Sequence, residues 1–396
     1  MIYILLLIVL TITVLCTKKN FFNPACVTCL VWCAVLILYQ TTNHGLKELS
    51  PLFFKMTFLW CLFFSIGCVC TSNMNFHTDV ALSKLPKINV KKAYIALLLL
   101  LTVSLCIILA GAKKTGISAV GYVRNVSLNS ENVPYNVKVV NFITTLIYPL
   151  IFLFLSTDSQ KTKKFLVFLL FLFLSVLSGS KSQVVQIFIT CLFLLFFHKK
   201  TKLRFLVLMS FVLVGAVSII TLLRDNGNSE INILKLIYIY FFSPLPAFDL
   251  LINNKISANA MPFAGTVLGL FYRIVSKFEG AEVPNSGLGF VLVPVPTNVY
   301  TVMLTGYLDF GRNVMFVFSL MYGMLWGYFY SFVKRNYKFY RLLYACFLNV
   351  LLLQFFADYL FPYLAIFIYQ ILITVFVYYK SRIKDFKFLR YQRNHD

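Results

Sequence analysis

The chain has 396 residues, of which 60% are hydrophobic and only 12% are charged. A soluble protein carries about twice that share of charged residues, so the composition excludes an ordinary soluble domain. The 36 basic residues outnumber the 13 acidic ones and give a formal net charge of +23. We predict an all-α, polytopic integral membrane protein, because helices satisfy their own backbone hydrogen bonds in lipid.

Hydrophobic blocks of about 15–22 residues alternate with polar loops along the chain, and ~20 such residues cross a bilayer. The pattern predicts about eleven transmembrane helices, within a range of ten to twelve. They run over residues 2–16, 24–40, 51–71, 93–112, 139–156, 165–178, 184–197, 205–223, 311–333, 342–357 and 362–379. The sixth and seventh blocks fit either two short spans or one long, broken helix.

The predicted spans divide the chain into four parts. These are spans one to eight (1–223), one large polar loop (224–310), spans nine to eleven (311–379) and a basic tail (380–396). The loop holds six of the 13 acidic residues and six of the 12 prolines. Prolines restrict the backbone, so we expect a loop of defined shape that carries the function.

Basic residues are concentrated on one side of the predicted membrane. Six segments carry 23 of the 36 Lys and Arg residues: 17–23, 72–92, 157–164, 198–204, 334–341 and 380–396. The positive-inside rule places these segments in the cytoplasm, and the N-terminus and the large loop on the outer side. The same charge favours anionic membrane lipids as partners. Nucleic acid is not predicted as a partner, because no soluble domain is present to hold it.

Two stretches of the large loop, 236–242 and 264–272, are apolar and predict helices that lie at the membrane interface. The aromatic residues of the loop, Tyr300 and Tyr307 among them, have two explanations. They stack on sugar rings, or they anchor the loop at the level of the lipid headgroups.

Two arginines are candidates for binding phosphate. Arg224, followed by Asp225, ends the eighth predicted span, and Arg273 lies within the loop. An arginine binds a phosphate through two parallel hydrogen bonds, which a lysine does less well. The alternative is that each is a flanking charge that extends toward the lipid headgroups.

The ten cysteines do not predict a metal or redox centre. Cys26, Cys29 and Cys33 follow helical spacing within an apolar span, and no His or carboxylate accompanies them. We expect them to act as small buried hydrophobic residues. The sequence also lacks a glycine-rich loop for a nucleotide, so no cofactor and no metal are predicted.

Three short motifs resemble those of a known family. The sequences Asn-Val-Tyr-Thr at 298–301 and Tyr-Leu-Asp-Phe-Gly at 307–311 precede a span that contains Gly323 and Gly327. They resemble the carboxyl-terminal signature of bacterial O-antigen polymerases, which join oligosaccharide repeat units. Residues 178–181 resemble a Gly-Ser-Arg-like turn of that family, with Lys181 where an Arg is usual. Arg224 resembles the arginine that follows the next span.

The resemblance implies an enzyme of the bacterial inner membrane with its active face in the periplasm. Such polymerases transfer a growing glycan from undecaprenyl diphosphate to the next lipid-linked repeat unit, and they work beside a chain-length regulator and a flippase. That reaction needs cations to stabilise the leaving diphosphate and a carboxylate to accept a proton, and the candidates for catalysis are Arg224, Arg273 and Asp309. The candidates for substrate contacts are Lys181, Asp225, Asn298, Tyr300 and Tyr307. Asp309 has a second explanation, since an aspartate at the mouth of the ninth span also caps a helix.

Two other functions remain as alternatives. An O-antigen ligase has a similar architecture, but ligases that resemble this family use a histidine in the large outer loop. The one histidine predicted outside is His44, in a different loop. A flippase for lipid-linked oligosaccharides is a transporter, and it is expected to have charged residues deep within its spans, which this chain largely lacks.

Overall fold

The computed structural model of the protein is mostly helical. It describes residues 2–17, 20–42, 45–74, 89–119, 121–123, 134–157, 160–177, 181–197, 215, 233–257, 263–280, 283, 288–335 and 338–377. The chain forms two compact units. Unit 1 contains 1–79, 231–340 and 350–365, and unit 2 contains 80–230, 341–349 and 366–396.

The helices are α1 (Ile2–Cys16), α2 (Pro24–Thr41), α3 (Pro51–Ser72), α4 (Val90–Thr115), α5 (Tyr135–Leu146), α6 (Tyr148–Leu155), α7 (Lys161–Leu177), α8 (Lys181–Phe197), α9 (Ile233–Phe242), α10 (Pro244–Ile252), α11 (Gly269–Glu279), α12 (Met303–Lys334), α13 (Lys338–Leu352) and α14 (Leu364–Val377). Two short strands, β1 (Val291–Leu292) and β2 (Pro296–Thr297), pair antiparallel with Val291 opposite Thr297.

Four described helices, α2, α3, α4 and α12, are long and apolar enough to cross a membrane. The helices α5 and α6 form a fifth span if they are taken together, with a bend of 41° between them. Shorter apolar helices lie at Leu6–Cys16, Gln183–Leu194, Tyr238–Ile252 and Leu364–Val377. The predicted span 205–223 falls almost entirely outside the described residues. The prediction of a helical membrane protein is confirmed, whereas the total of eleven spans stays a prediction.

Glycines on α3 and α12 allow these two helices to pack very closely. A Cβ atom on Gly323 would overlap the carbonyl group of Phe64, and one on Gly327 would overlap the backbone of Cys68. In lipid, water does not drive helices together, so close backbone contact supplies much of the attraction. These glycines therefore act in helix packing.

Pairing along α3 and α12 shows that the two helices run in the same direction. Ser319 donates a hydrogen bond to the Trp60 carbonyl at 2.7 Å, and Thr71 donates one to the Met324 carbonyl at 2.9 Å. Both helices therefore begin at the same end of unit 1. Only a short connection separates the end of α2 at Thr41 from the start of α3 at Pro51, so the C-terminal end of α2 also lies at this end of unit 1.

A buried amide joins three parts of unit 1. The side-chain carbonyl of Gln354 accepts the indole N–H groups of Trp32 (3.4 Å) and Trp60 (3.2 Å), and its amide donates to the Thr28 hydroxyl at 3.0 Å. The Gln354 backbone carbonyl accepts the N–H of Val302 at 2.8 Å. Buried polar groups need partners, so this network fixes the turn after α13 against α2, α3 and the start of α12.

Gly311 interrupts α12 about two turns after its start at Met303. Its φ of 72° and ψ of 173° are not helical, and they suit glycine because it has no Cβ. The helix therefore begins at Met303, where the sequence predicted a span from 311. Residues 303–310, which include Tyr307 and Asp309, form a short helical segment that the kink separates from the membrane-length part.

Unit 2 is also tied together by polar contacts between helices. Thr190 on α8 donates to the Ala345 carbonyl of α13 at 3.0 Å and shares a 2.7 Å hydrogen bond with the Tyr148 hydroxyl of α6. Gln370 on α14 donates to the Thr145 carbonyl of α5 at 2.7 Å. The blocks 165–178 and 184–197 correspond to two separate helices, α7 and α8.

Candidate active site at the loop end of unit 1

Three connecting segments meet at the end of unit 1 where α3 and α12 begin. They are residues 45–50, the described residues between 233 and 302 (233–257, 263–280, 283 and 288–302) and residues 353–363, and we call this region the loop end. Backbone and ring contacts join them, for example Val302 with Gln354 and the rings of Tyr240 and Phe356, whose centroids lie 5.2 Å apart. The loop end thus contains most of the described residues of the predicted loop 224–310. Two short segments that are distant in sequence, 45–50 and 353–363, pack against them.

Asp249 on α10 anchors the first of these segments. Its carboxylate accepts the backbone N–H of Ser50 at 3.1 Å and also the Ser50 hydroxyl. Asn253, the first residue after α10, donates to the same carboxylate at 2.9 Å and to the Ser50 hydroxyl at 3.0 Å. Ser50 caps α3 through the N–H of Phe53. The carboxylate therefore holds the start of α3 against α10.

The helix α10 is not an exposed interfacial helix. Most of its residues are buried, and Phe248 packs edge-to-face against Phe53 of α3 (6.3 Å) and Tyr307 of α12 (6.0 Å). The stretch 236–242 is helical within α9, as predicted, and Phe242 at its end is buried. This part of the loop is a component of the hydrophobic core of unit 1.

Asp309 anchors the second segment. The Oδ1 atom accepts the N–H of Thr266 at 2.8 Å, and Oδ2 accepts the N–H of Val267 at 2.8 Å. These two residues belong to the turn that leads into α11. Because free N–H groups at the start of a helix carry partial positive charge, a carboxylate stabilises them. Asp309 is half-buried. Its carboxylate binds the turn before α11, whereas the capping explanation expected it to bind N–H groups of its own helix.

Asp358 anchors the third segment and lies deeper than Asp309. It is buried, accepts the Thr305 hydroxyl at 2.6 Å, and accepts the backbone N–H of Leu360 at 2.8 Å. Burial raises the pKa of the Asp358 carboxyl to about 6, and the charge of Asp309 raises it further, whereas the hydrogen bonds oppose the shift. A carboxyl with this pKa changes its protonation state close to physiological pH.

The three carboxylates share one structural role. Asp249 and Asp309 each accept backbone N–H groups of another segment. Asp358 accepts an N–H group of its own turn and the Thr305 hydroxyl of α12, and together the three carboxylates hold the loop end in place. Backbone N–H groups that lack a partner cost free energy when buried, so removing any of the three carboxylates loosens a different segment.

The helix α11 is amphipathic and has no buried residue. Phe271, Ile274 and Phe278 recur at helical spacing on one face and are 60%, 49% and 84% exposed. Arg273 and Lys277 are also exposed, and neither side chain has a hydrogen-bond or ion-pair partner among the described residues. The predicted helix at 264–272 is therefore present, but it begins at Gly269 and extends to Glu279.

The structure brings several predicted site residues to the loop end. Tyr300 is buried, with its hydroxyl directed to the Gly289 carbonyl at 3.4 Å, and burial raises its pKa. Tyr307 is half-buried and contacts Phe248, while Asn298 is exposed next to the small sheet. Tyr300 and Tyr307 thus pack within the protein, and Asn298 is open to a ligand.

Other predicted residues lie elsewhere. Arg224 and Asp225 are outside the described residues. Lys181 is the first residue of α8 and belongs to unit 2. Within the described part of the chain, no group of three or more His, Cys, Asp or Glu side chains could hold a metal ion.

A family model described as "Putative O-antigen polymerase" matches residues 20–355 of the chain. The chain belongs to this O-antigen polymerase family. A relative from Escherichia coli (strain K12), also named "Putative O-antigen polymerase", is 23% identical over 362 residues, which cover 88% of this chain and 90% of the relative. No solved structure matches the chain significantly.

Membership of the O-antigen polymerase family agrees with the resemblance at residues 178–181, Arg224, 298–301 and 307–311. It identifies the protein as a glycosyltransferase-like enzyme of surface-polysaccharide synthesis, with a lipid-linked oligosaccharide as its substrate. Together with the apolar helices, it indicates a multi-pass bacterial membrane protein. The alternatives of a ligase and a flippase are not favoured.

Sequence reasoning missed two residues of this polymerase's loop end. Asp358 stands in a turn between two predicted spans and was not singled out, although an acidic residue in so apolar a region was a usable signal. Gln354 fell inside the predicted span 342–357. Its four partners lie on three other parts of unit 1, and no local pattern indicates them.

Proposed function

We propose that this chain polymerises undecaprenyl-diphosphate-linked oligosaccharide repeat units into O-antigen or a related surface polysaccharide, at the periplasmic face of the plasma membrane. The observation that carries the proposal is the family match over residues 20–355, which includes most of the loop end. The three carboxylate anchors support it, because they give the loop end the fixed geometry that group transfer requires.

In the proposed reaction, a hydroxyl oxygen of the acceptor repeat unit attacks the anomeric carbon of the donor glycan. A new carbon–oxygen bond forms as the bond to the diphosphate oxygen breaks, and undecaprenyl diphosphate leaves with the bonding electron pair. The hydroxyl proton passes to a carboxylate. The sugar–diphosphate bond supplies the energy, so the step needs no nucleotide.

Cationic side chains are proposed to stabilise the leaving diphosphate without a metal ion. Arg273 is the candidate at the loop end, because it is exposed on α11 and has no partner among the described residues. Its fork of donors matches phosphate oxygens, and fixed donors near a developing charge are often the largest catalytic contribution. Arg224 and Lys181 are proposed for the same role from their sequence motifs alone.

Asp309 is the proposed general base. It is half-exposed, it stands next to the kink at Gly311, and its two bonds to the turn 266–267 fix the direction of the carboxylate. A base must be held within hydrogen-bond reach of the proton that it takes. Asn298, Tyr300, Tyr307 and Asp225 are proposed to contact or shape the glycan groove.

The helix α11 is proposed to lie in the outer membrane interface. The membrane-length part of α12 also carries exposed apolar residues, and Val314, Val317 and Met321 are 47%, 53% and 62% exposed. Asp309 ties the entrance of α11 to the start of that helix. Aromatic residues on one face and cations on the other are typical of interfacial helices.

The proposed topology has the N-terminus and the loop end in the periplasm and the basic tail in the cytoplasm. A phosphatase reporter fused after Lys255 should be active, and one fused after Lys338 should be inactive. A chain-length regulator and a flippase are proposed as partners, since polymer synthesis needs a supply of units and a control on length.

Deletion of the gene tests the proposed function. Loss of a polymerase leaves flipping and ligation intact, so the lipid A core should carry a single repeat unit on a gel, and the intact gene should restore long chains. A core without any repeat unit, with lipid-linked units retained inside the cell, would indicate a flippase. Undisturbed polymer on the carrier lipid with an uncapped core would indicate a ligase.

A further inference from the structure

The loop end contains a cavity that the proposed reaction does not use. Its volume is about 490 Å³, within the range of about 300–1,000 Å³ that is usual for small-ligand sites. It is lined by residues from the end of α2, the segment 45–50 and the first turn of α3: Tyr39, Gln40, Thr42, Gly45, Leu46, Glu48, Leu49 and Phe54.

The wall of this cavity is held in position at two points. The Tyr39 hydroxyl donates to the Lys47 carbonyl at 2.5 Å, which ties the segment 45–50 to α2. Three residues further on, Asp249 and Asn253 bind Ser50 and tie the same segment to α10. The carboxylate of Asp249 also lies within electrostatic range of the Tyr39 hydroxyl. A cavity whose wall is already fixed loses little entropy when a ligand binds.

The lining offers polar groups together with aromatic surface. The side chains of Gln40 and Glu48 are exposed, and neither has a hydrogen-bond partner within the described ranges. Phe54 presents a half-buried ring at the same cavity. An amide and a carboxylate bind several hydroxyl groups, while a ring packs against the apolar face of a sugar.

The same lining disfavours the other parts of a lipid-linked substrate. An acyl or prenyl chain would strip water from Gln40 and Glu48 without replacing their hydrogen bonds, which costs free energy. A diphosphate would be repelled by the Glu48 carboxylate. A neutral saccharide is the part of the substrate that fits this chemistry.

We propose that this cavity is a saccharide subsite, which binds sugar residues of the lipid-linked glycan through Gln40, Glu48 and the ring of Phe54. This inference rests on the proposed polymerase function and adds to it a place where sugars are held away from the diphosphate. Because the wall is pinned by Asp249, the subsite keeps a constant position relative to the start of α3 and to Asp309 on the neighbouring α12.

The test measures binding of the cell's own repeat-unit oligosaccharide, freed from its carrier by mild acid, to the purified full-length protein. Saturation-transfer NMR should detect the sugar on the wild type. The double variant Gln40→Ala with Glu48→Ala should weaken binding by about tenfold or more, as expected for loss of hydrogen bonds to a charged and a neutral group. Lys55→Ala is the matched control, since Lys55 is exposed on the same turn of α3 but does not line the cavity.

Two measurements separate the possible results. Wild-type affinity in the double variant, with long chains restored in the deletion strain, would overturn the subsite and leave the polymerase function intact. Failure of the wild-type gene to restore any polymer would overturn the polymerase function itself. Equal loss in Lys55→Ala would also overturn the subsite. Membrane levels and thermal unfolding of each variant, compared with the wild type, separate these effects from misfolding.

Discussion

Asp309 accepts the backbone N–H of Thr266 at 2.8 Å, although 43 residues separate them along the chain. This bond connects the entrance of the amphipathic helix α11 to the short helical segment that precedes the kink at Gly311. An amphipathic helix with no buried residue is therefore attached to the helix that packs closely against α3. The catalytic proposal and the membrane proposal both depend on this attachment.

Asp309→Asn separates the two roles of Asp309. The amide oxygen still accepts one N–H, so limited proteolysis within 263–280 should stay close to the wild type, while long-chain polymer is lost because Asn cannot accept a proton. Asp309→Ala should lose both properties, with a cost of about 1–3 kcal/mol for the unpaired N–H groups. Normal polymer from Asp309→Asn would show that Asp309 is only an anchor.

Asp358 predicts a dependence of stability on pH. Its folded-state pKa of about 6 lies above the ordinary value of 3.8, so the folded protein favours the protonated form. The stabilising contribution is complete below about pH 4 and is lost as the pH rises through about 6, for a total on the order of 3 kcal/mol. Thermal unfolding in nanodiscs should show a Tm that falls between about pH 4 and about pH 6 and changes little above about pH 7.

Asp358→Asn should remove this fall, because the amide does not titrate. Thr305→Val should move it to higher pH, since it removes a hydrogen bond that favours the ionised form. The same fall in Tm in the wild type and in Asp358→Asn would assign the titration to another group.

Gly323→Val should destabilise unit 1. The new side chain would collide with the Phe64 backbone and force α12 away from α3, at a cost of about 1–3 kcal/mol or more. Lower membrane levels and a lower Tm are expected. Gly289→Ala is the control, because a Cβ there meets no atom within 4 Å and should change neither quantity.

A tryptophan at position 278 tests whether α11 enters the bilayer. Phe278 lies on the apolar face and is 84% exposed, so Phe278→Trp should be quenched by lipids brominated on their acyl chains. Glu279→Trp, one residue away on the polar face, should be quenched much less. The native Trp32, Trp60 and Trp326 give the same buried background in both variants. Equal quenching at 278 and 279 would contradict the interfacial placement.

Arg273→Ala should shorten or abolish the polymer while membrane levels stay normal. Loss of one donor to a developing negative charge typically lowers the rate by about 10²–10³, which is visible on a gel. Arg273→Lys restores the charge but not the two-pronged geometry, so we expect it to remain defective. Lys277→Ala, one turn further along α11, is the comparison and should keep long chains. Full activity of Arg273→Ala would leave this residue as a surface charge.

Much of the fold could be predicted, because a helix that crosses lipid requires a run of about 20 apolar residues, and such a run is visible in the sequence. The apolar blocks at 24–40, 51–71 and 93–112 correspond to α2, α3 and α4, and the glycines of the predicted ninth span, Gly323 and Gly327, lie in α12. The predicted start of this span, residue 311, differs from the start of α12 at Met303, because Thr305, Gly306 and Asp309 interrupt the apolar run of residues 303–310. A helix need not lie in lipid, and the kink at Gly311 separates this segment from the part that does.

The sequence by itself determined that the protein is a helical membrane protein with a polar loop that resembles O-antigen polymerases, because hydropathy, charge asymmetry and short motifs are properties of neighbouring residues. Only the tertiary structure decided what the acidic residues do. Asp249, Asp309 and Asp358 each bind a segment that is brought close by packing of the helices, and Gln354 meets Trp32 from the far end of the chain. Buried polar groups need hydrogen-bond partners, and these partners are distant in sequence. Only the packing of the folded chain brings them within hydrogen-bond distance.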